Sequence, residues 1–287
     1  MITARAFAGK HYAVYGLARS GLATVEALLA SGARVTAWDG NEEARTKVPA
    51  GADIANLDEA DLGQFDSLVV TPGLPLNRHP IAARAREAGL EIIGDIELFA
   101  RARPELPPHK VVGITGTNGK STTTALIHHI LETAGVPTTM GGNIGLPILA
   151  QDPLPEGGVY VLELSSYQID LTQSLDCDVA VLLNITPDHL DRYESFESYA
   201  ASKARLLEMQ SPQNHAVISA RPETWAFVAS EEERRNLDDD DWASVIPFDA
   251  PLSDQADWPA LQGPHNAENA HAAILIADQL GISGSAI

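Results

Sequence analysis

Residues 113–124 read GITGTNGKSTTT, a glycine-rich turn that runs into a lysine and four hydroxyl side chains. Such a run suits phosphate: glycines let backbone N–H groups approach the oxygens, Lys120 offers an ammonium, and Ser121 can reach a Mg2+ ion. The usual P-loop is glycine, any four residues, then Gly-Lys-Ser/Thr. Here Ile114 stands five places before Gly119, and Gly113 comes one place too early, so the run misses the usual pattern by one residue. Two further apolar runs end in groups that suit the same chemistry. VYVLEL (159–164) runs into Glu163–Ser166, and CDVAVLLNI (177–185) runs into Asn184–Asp191. Glu163 is a hard oxygen ligand for a metal ion, and His189 could ligate a second metal or position a substrate oxygen.

A second glycine loop lies near the start. GLARSG (16–21) sits between a strand-like and a helix-like stretch, where the dinucleotide pattern G-x-G-x-x-G belongs, but Ala18 takes the place of the middle glycine. Asp39 closes the next strand, at the position of a ribose-binding acid. Backbone N–H groups at a helix N-terminus carry partial positive charge and would face any diphosphate there. The plainer alternative is a tight strand-to-helix turn capped by Ser20.

These loops need elements to hold them. HYAVYG (11–16), ARVTAWD (33–39) and FDSLVVTPG (65–73) read as strands, LATVEALLASG (22–32) as a helix with Gly32 at its C-terminal end, and 81–93 as a helix running into a strand. Three prolines within RARPELPPHK (101–110) suit neither a helix nor an inner strand, so a domain boundary is expected there. Beyond it come the strand KVVGIT, a helix from Ser121 to Ala134, the two apolar strands above, and a helix over 267–281 closed by Gly281. The expected fold class is therefore α/β: a Rossmann-like parallel-sheet domain over 1–104, then a P-loop-type α/β ATP-binding domain over 105–287. Ligands of open parallel sheets bind outside the carboxyl ends of the strands, so the ends carrying Thr115–Ser121, Glu163–Ser166 and Asn184–Asp191 should share one crevice.

The 287 residues suffice for two domains, and 45% hydrophobic with 20% charged residues is the balance of a globular protein. With 39 acidic against 19 basic residues the net charge is −20, which argues against non-specific nucleic-acid binding. Much of the excess lies in EEERRNLDDDDW (231–242), read as a solvated surface loop. No signal-peptide core and no apolar run long enough for a bilayer stands out, and the single cysteine, Cys177, cannot form an internal disulfide. A cytoplasmic, monomeric protein without membrane or nucleic-acid partners is expected.

The loop Gly116–Ser121 matches, letter for letter, the ATP loop G-T-N-G-K-S/T of the Mur ligase family. The chain resembles that family of cytoplasmic, ATP-dependent amide ligases from about residue 9 to its end. GDIELF (94–99), GGNIGLP (141–147), LELSSYQ (162–168) and NITPDHLDRY (184–193) together resemble the family's D-glutamate-adding branch. The resemblance implies UDP-N-acetylmuramoyl-L-alanine, ATP and D-glutamate as substrates, joined through an acyl phosphate. It implies that Gly16, Arg19, Ser20, Gly21, Asp39, Thr71 and Gly73 hold the UDP part. Asn143, Ser165 and His189 would contact the muramoyl-alanine and its reacting carboxylate. Gly116, Thr117, Asn118, Gly119, Lys120, Ser121, Thr122 and Asn269 would bind ATP, with Asn269 on the adenine side. Lys120, His189 and Lys203 would be catalytic, and two Mg2+ ions would involve Ser121, Glu163, His189 and Lys203, the last as a carbamate. Composition alone reads Lys203 as a helix-surface lysine. In departure from the family, Ala18 replaces a frequent glycine, and no basic residue follows Asp39 directly. The family's third domain, which carries the D-glutamate site, is not matched, so this chain is expected to bind substrates better than it turns them over. Two rivals stand beside this reading: a dehydrogenase that holds NAD on Gly16–Gly21 and Asp39, and a non-catalytic nucleotide-binding module.

Overall fold

The computed structural model describes residues 1–189, 191–228, 245–248, 255 and 258–282. The acidic run 231–242 lies outside them. The chain divides into two compact units. The first holds Met1–Leu106 together with 146–153 and 170–175; the second holds Pro107–Gly145, Leu154–Ile169 and the described residues from Asp176 onward. The main division falls within the proline-rich segment, and two short stretches from beyond it pack with the first unit.

The first unit is a parallel five-stranded sheet in the order β3-β2-β1-β4-β5, made of β1 (His11–Tyr15), β2 (Arg34–Trp38), β3 (Asp53–Ile54), β4 (Ser67–Val70) and β5 (Ile92–Ile93). Its helices are α1 (Arg19–Ala30), α2 (Glu42–Arg45), α3 (Pro80–Glu87) and α4 (Asp95–Ala102). The central strand β1 is buried along its whole length, which is why HYAVY is a continuous run without polar alternation. Gly32 has φ +81° just past α1, as a helix-ending glycine does. The stretch 170–175 is held by the Gly94 N–H, which donates to the Leu171 carbonyl (2.9 Å), and by one carboxylate. Glu97 of α4 accepts hydrogen bonds from Gln173 N (2.7 Å), Ser174 N (2.9 Å) and Ser174 Oγ (2.9 Å), and pairs with Arg101 Nε at 2.8 Å.

The second unit is a parallel six-stranded sheet in the order β11-β10-β9-β6-β8-β7: β6 (His109–Thr115), β7 (Thr138–Gly142), β8 (Gly158–Glu163), β9 (Val179–Leu182), β10 (His215–Ser219) and β11 (Val245–Phe248). It carries α5 (Lys120–Thr133), α6 (Ser166–Asp170), α7 (Phe196–Glu208), α8 (Pro222–Trp225) and α9 (Pro264–Gln279). Val112, Ile114, Val161 and Val181 of the sheet form one core with Ile127 and Leu131 of α5 and Ala273 and Ile276 of α9. Strands β6, β8 and β9 are adjacent, so their three loaded ends lie side by side. No helix among the described residues is long and apolar enough to cross a membrane.

Asp95, in the first turn of α4, is buried, and burial pushes its carboxyl up to about 6. A folded-state value above the unfolded one means that stability is greatest below the unfolded pKa and is lost as pH rises through 6. A shift of about two pKa units corresponds to roughly 3 kcal/mol. Asp95→Asn should therefore stabilise the chain at pH 8 by an amount of that order, and the gain should vanish near pH 4. Urea denaturation at the two pH values measures it, and a pH-independent difference would refute the assignment.

Candidate nucleotide-binding site

At the carboxyl end of β1 in the first unit, Gly16 turns the chain into α1. Its N–H donates to the Trp38 carbonyl (2.8 Å), and Leu17 N donates to Asp39 Oδ2 (2.7 Å). The second Asp39 oxygen accepts from Asn41 N at 2.8 Å. The Thr71 side chain packs on Gly16, and a side chain at Gly21 would overlap the Gly16 carbonyl, so the loop closes against its own helix. Gly73 lies exposed just beyond Thr71. Ser20 does not cap this helix. Gly16 completes the turn in so few residues that α1 starts at Arg19 after an extended Ala18, which leaves Ser20 inside the first turn. Arg19, exposed, and Ser20, half-buried, stand there in the first turn of the helix.

Two features of this end were not anticipated from the sequence. Arg45, from α2, lies over the Trp38 ring at 4.5 Å and donates from Nη1 to the Asp39 carbonyl at 2.7 Å. A basic residue thus reaches the Asp39 corner although none follows it directly. Tyr15, the last residue of β1, donates to Asp58 Oδ2 (3.0 Å) and meets His79 Nε2 at 3.2 Å. Burial, reinforced by the Asp58 carboxylate, pushes the Tyr15 hydroxyl up to about 12.

The second unit gathers more chemistry. The loop after β6 is stapled to the loop after β9: Thr117 N donates to the Asn184 carbonyl (2.9 Å), Asn118 N to Asn184 Oδ1 (2.9 Å), and Thr186 N to Thr117 Oγ1 (3.0 Å). The left-handed Gly119 then opens α5, aiming that helix's N-terminal N–H groups and its positive dipole end at the loop. Asn269 of α9 lies against Gly119, with its side chain 6% exposed. Lys120 Nζ donates to the Gly116 and Thr117 carbonyls, each at 2.9 Å. Burial lowers the Lys120 pKa, opposed by attraction to Glu163 and Asp188. Thr122 is half-buried behind it, and the buried Thr115, Thr123 and Thr124 hydroxyls have no hydrogen-bond partner in the protein.

Glu163, 1% exposed at the end of β8, joins this loop to the next strand. Its Oε2 accepts from Ser121 Oγ (2.7 Å) and its Oε1 from Asn143 Nδ2 (2.8 Å). Its own carbonyl accepts from Asn143 N at 2.8 Å. That close approach explains GGN in the motif: Gly142 has φ +89°, and a side chain there would overlap the Glu163 carbonyl.

Lys203 is not on the surface. It is 2% exposed, and its Nζ donates to the Gly116 carbonyl at 2.9 Å. Its helix α7 turns that face inward, so Tyr199, four residues earlier, packs under it with the ammonium 4.7 Å from the ring. The Tyr199 hydroxyl reaches Thr117 Oγ1 at 3.1 Å, a loop contact whose only sequence signal is that spacing. His189 is exposed, with the left-handed φ of +52°, and its ring lies 5.1 Å from that of Tyr167. Ser165 bonds Gln168 through both its N–H and its hydroxyl, each 3.1 Å from Oε1. Lys120, Ser121, Glu163, Asn143 and Lys203 therefore meet around one loop, whereas Ser165 and His189 stand on the neighbouring strand-end loops. Among the described residues no three His, Cys, Asp or Glu side chains group to hold a metal by themselves.

Because Gly142 is held left-handed against the Glu163 carbonyl, Gly142→Ala should cost about 2–4 kcal/mol of stability, from backbone strain plus the overlap. Urea denaturation reads it, and an unchanged midpoint would show that the strand end can move aside.

The family described as Mur ligase middle domain matches residues 114–239, and the family described as Mur ligase MurD-like, N-terminal domain, matches residues 10–94. Relatives named UDP-N-acetylmuramoylalanine--D-glutamate ligase include those of Sphingopyxis alaskensis (64% identical, covering 100% of this chain and 65% of the relative) and Novosphingobium aromaticivorans (62%, 99% and 63%). That of Zymomonas mobilis is 55% identical, covering 100% of this chain and 67% of the relative. The chain thus spans about two thirds of the length of these relatives. Among solved structures, the UDP-N-acetylmuramate:L-alanyl-gamma-D-glutamyl-meso-diaminopimelate ligase from Neisseria meningitides shares the fold at a TM-score of 0.61 and 20% identity, covering 95% of this chain and 94% of the other. With both units matched and identity this high across the whole sequence, the chain belongs to the Mur ligase family.

Proposed function

We propose that this chain carries the two nucleotide sites of a cytoplasmic, monomeric ligase that uses ATP to join D-glutamate to UDP-N-acetylmuramoyl-L-alanine. The observation that carries the ATP half is the convergence of Lys120, Ser121, Glu163 and Lys203 on the Gly116–Ser121 loop. The names of the relatives support the substrate assignment.

In this reading Gly116–Thr122 cradle the ATP phosphates and Asn269 bounds the adenine side. Gly16, Arg19, Ser20, Gly21, Asp39, Thr71 and Gly73 hold the UDP part. Asn143, Ser165 and His189 orient the muramoyl-alanine carboxylate. The terminal phosphoryl group passes to an oxygen of that carboxylate and ADP leaves. The D-glutamate amine then attacks the acyl carbon, forming a carbon–nitrogen bond and losing a proton, while the carbon–oxygen bond to phosphate breaks. Phosphoryl transfer asks little covalent chemistry of the protein, so positioning and neutralisation of charge by Lys120 and the α5 N-terminus supply most of the rate.

The donor set fits magnesium. The Ser121 hydroxyl and Glu163 carboxylate are hard oxygen donors already in contact, and Mg2+ is commonly held by one or two carboxylates together with substrate phosphates. Ser121 and Glu163 would hold one ion; His189 and a carbamate formed on the Lys203 amine would serve a second. Bound there, the ions neutralise phosphate charge. Asn143 is the positioning residue that keeps the Glu163 carboxylate facing Ser121.

Titration calorimetry of this chain tests the reading. It should bind UDP-N-acetylmuramoyl-L-alanine more tightly than UDP, and either more tightly than NAD; a preference for NAD would instead make the first glycine loop a dinucleotide site. Glu163→Gln should weaken Mg2+-ATP binding by about 10–100-fold and leave UDP binding unchanged. Equal Mg2+-ATP affinity in the variant would remove Glu163 from the metal site.

A further inference from the structure

We infer that Arg45 is a positioning residue for the uridine nucleotide, acting through Trp38 and Asp39 on the Gly16–Leu17 amides; this rests on the first unit being the UDP site. The chain of contacts is short. Gly16 N bonds the Trp38 carbonyl and Leu17 N bonds the Asp39 carboxylate, so two consecutive amides of the glycine loop are set by two consecutive residues at the end of β2. One guanidinium holds both of those residues and the next. It lies on the Trp38 ring, and its Nη1 donates to the Asp39 carbonyl at 2.7 Å and the Gly40 carbonyl at 3.3 Å. Gly40 has no side chain to stiffen this corner, and α2, which brings Arg45 back, is a single turn of four residues. Asn41 N, bonded to the other Asp39 oxygen, orients that carboxylate from its own side of the loop, while the guanidinium fixes the backbone that carries it.

The geometry also separates Arg45 from a general surface cation. The neighbouring exposed Lys47 instead pairs with the exposed Glu43 at 3.0 Å. A planar fork that stacks on an indole and donates to two carbonyls is a role lysine fills poorly.

The test uses this chain, UDP as the titrant and ATP as an internal control, since the ATP loop belongs to the other unit. Arg45→Ala should weaken UDP binding about tenfold, with ATP affinity and melting temperature unchanged. Arg45→Lys should recover only part of the loss. In a double-mutant cycle with Asp39→Asn, the paired variant should lose little more than Asp39→Asn alone, because both changes break one chain of contacts. UDP affinity unchanged in Arg45→Ala would overturn the inference, as would additive losses, full recovery by lysine, or a parallel fall in ATP binding and melting temperature. Failure of the unaltered chain to bind UDP is a separate outcome, and would overturn the UDP site together with the role of Arg45.

Discussion

The Glu163 carboxylate is the constraint on which the second unit's site depends. A nearly fully buried carboxylate must have its oxygens satisfied, and here each is satisfied from a different strand end. Ser121 comes from the helix after β6 and Asn143 from the loop after β7, while Glu163 itself ends β8. A single buried charge therefore sets the spacing of three loops, and the left-handed Gly142 exists because Asn143 N must also reach the Glu163 carbonyl. Such a charge is costly in an apolar interior, but here it borders a lysine and a helix N-terminus, groups that an anionic ligand would also use.

The Gly116 carbonyl is the second meeting point. Two ammonium groups, from Lys120 and Lys203, share it at the same distance of 2.9 Å. An arrangement that brings two cations to one neutral oxygen is poor electrostatics for its own sake and good preparation for phosphate. Tyr199 connects the same lysine to Thr117, so the Gly116–Ser121 loop is braced from β9 on one side and α7 on the other.

The first unit's glycine loop is built differently. It contains no lysine, and its order comes from backbone amides tied to the end of β2, with Asp39 spending its carboxylate on the loop itself. The expectation that Asp39 faces a ligand must therefore accommodate a structural duty: its two oxygens each already accept an N–H. Rigidity of this kind preorganises a loop for recognition.

Much of this was legible in the amino-acid order because its causes are local. Continuous apolar runs in β1, β8 and β9, glycines at loop starts, and Gly32 and Gly281 after helices follow from backbone sterics and burial acting over a few residues. Those same rules placed Lys120, Ser121 and Glu163 at strand ends, and adjacency of β6, β8 and β9 then made them neighbours. Other features follow from tertiary packing alone. Lys203 reads as a surface lysine until α7 turns its face onto the Gly116–Ser121 loop. Arg45 reads as one more charge on a short helix until that helix folds back over Trp38. Ser20 reads as a cap until the close approach of Gly21 to Gly16 shortens the turn. In each case the deciding contact joins elements that no local propensity relates, so sequence order determined which groups were available, and packing decided which carbonyl, ring or carboxylate they would meet.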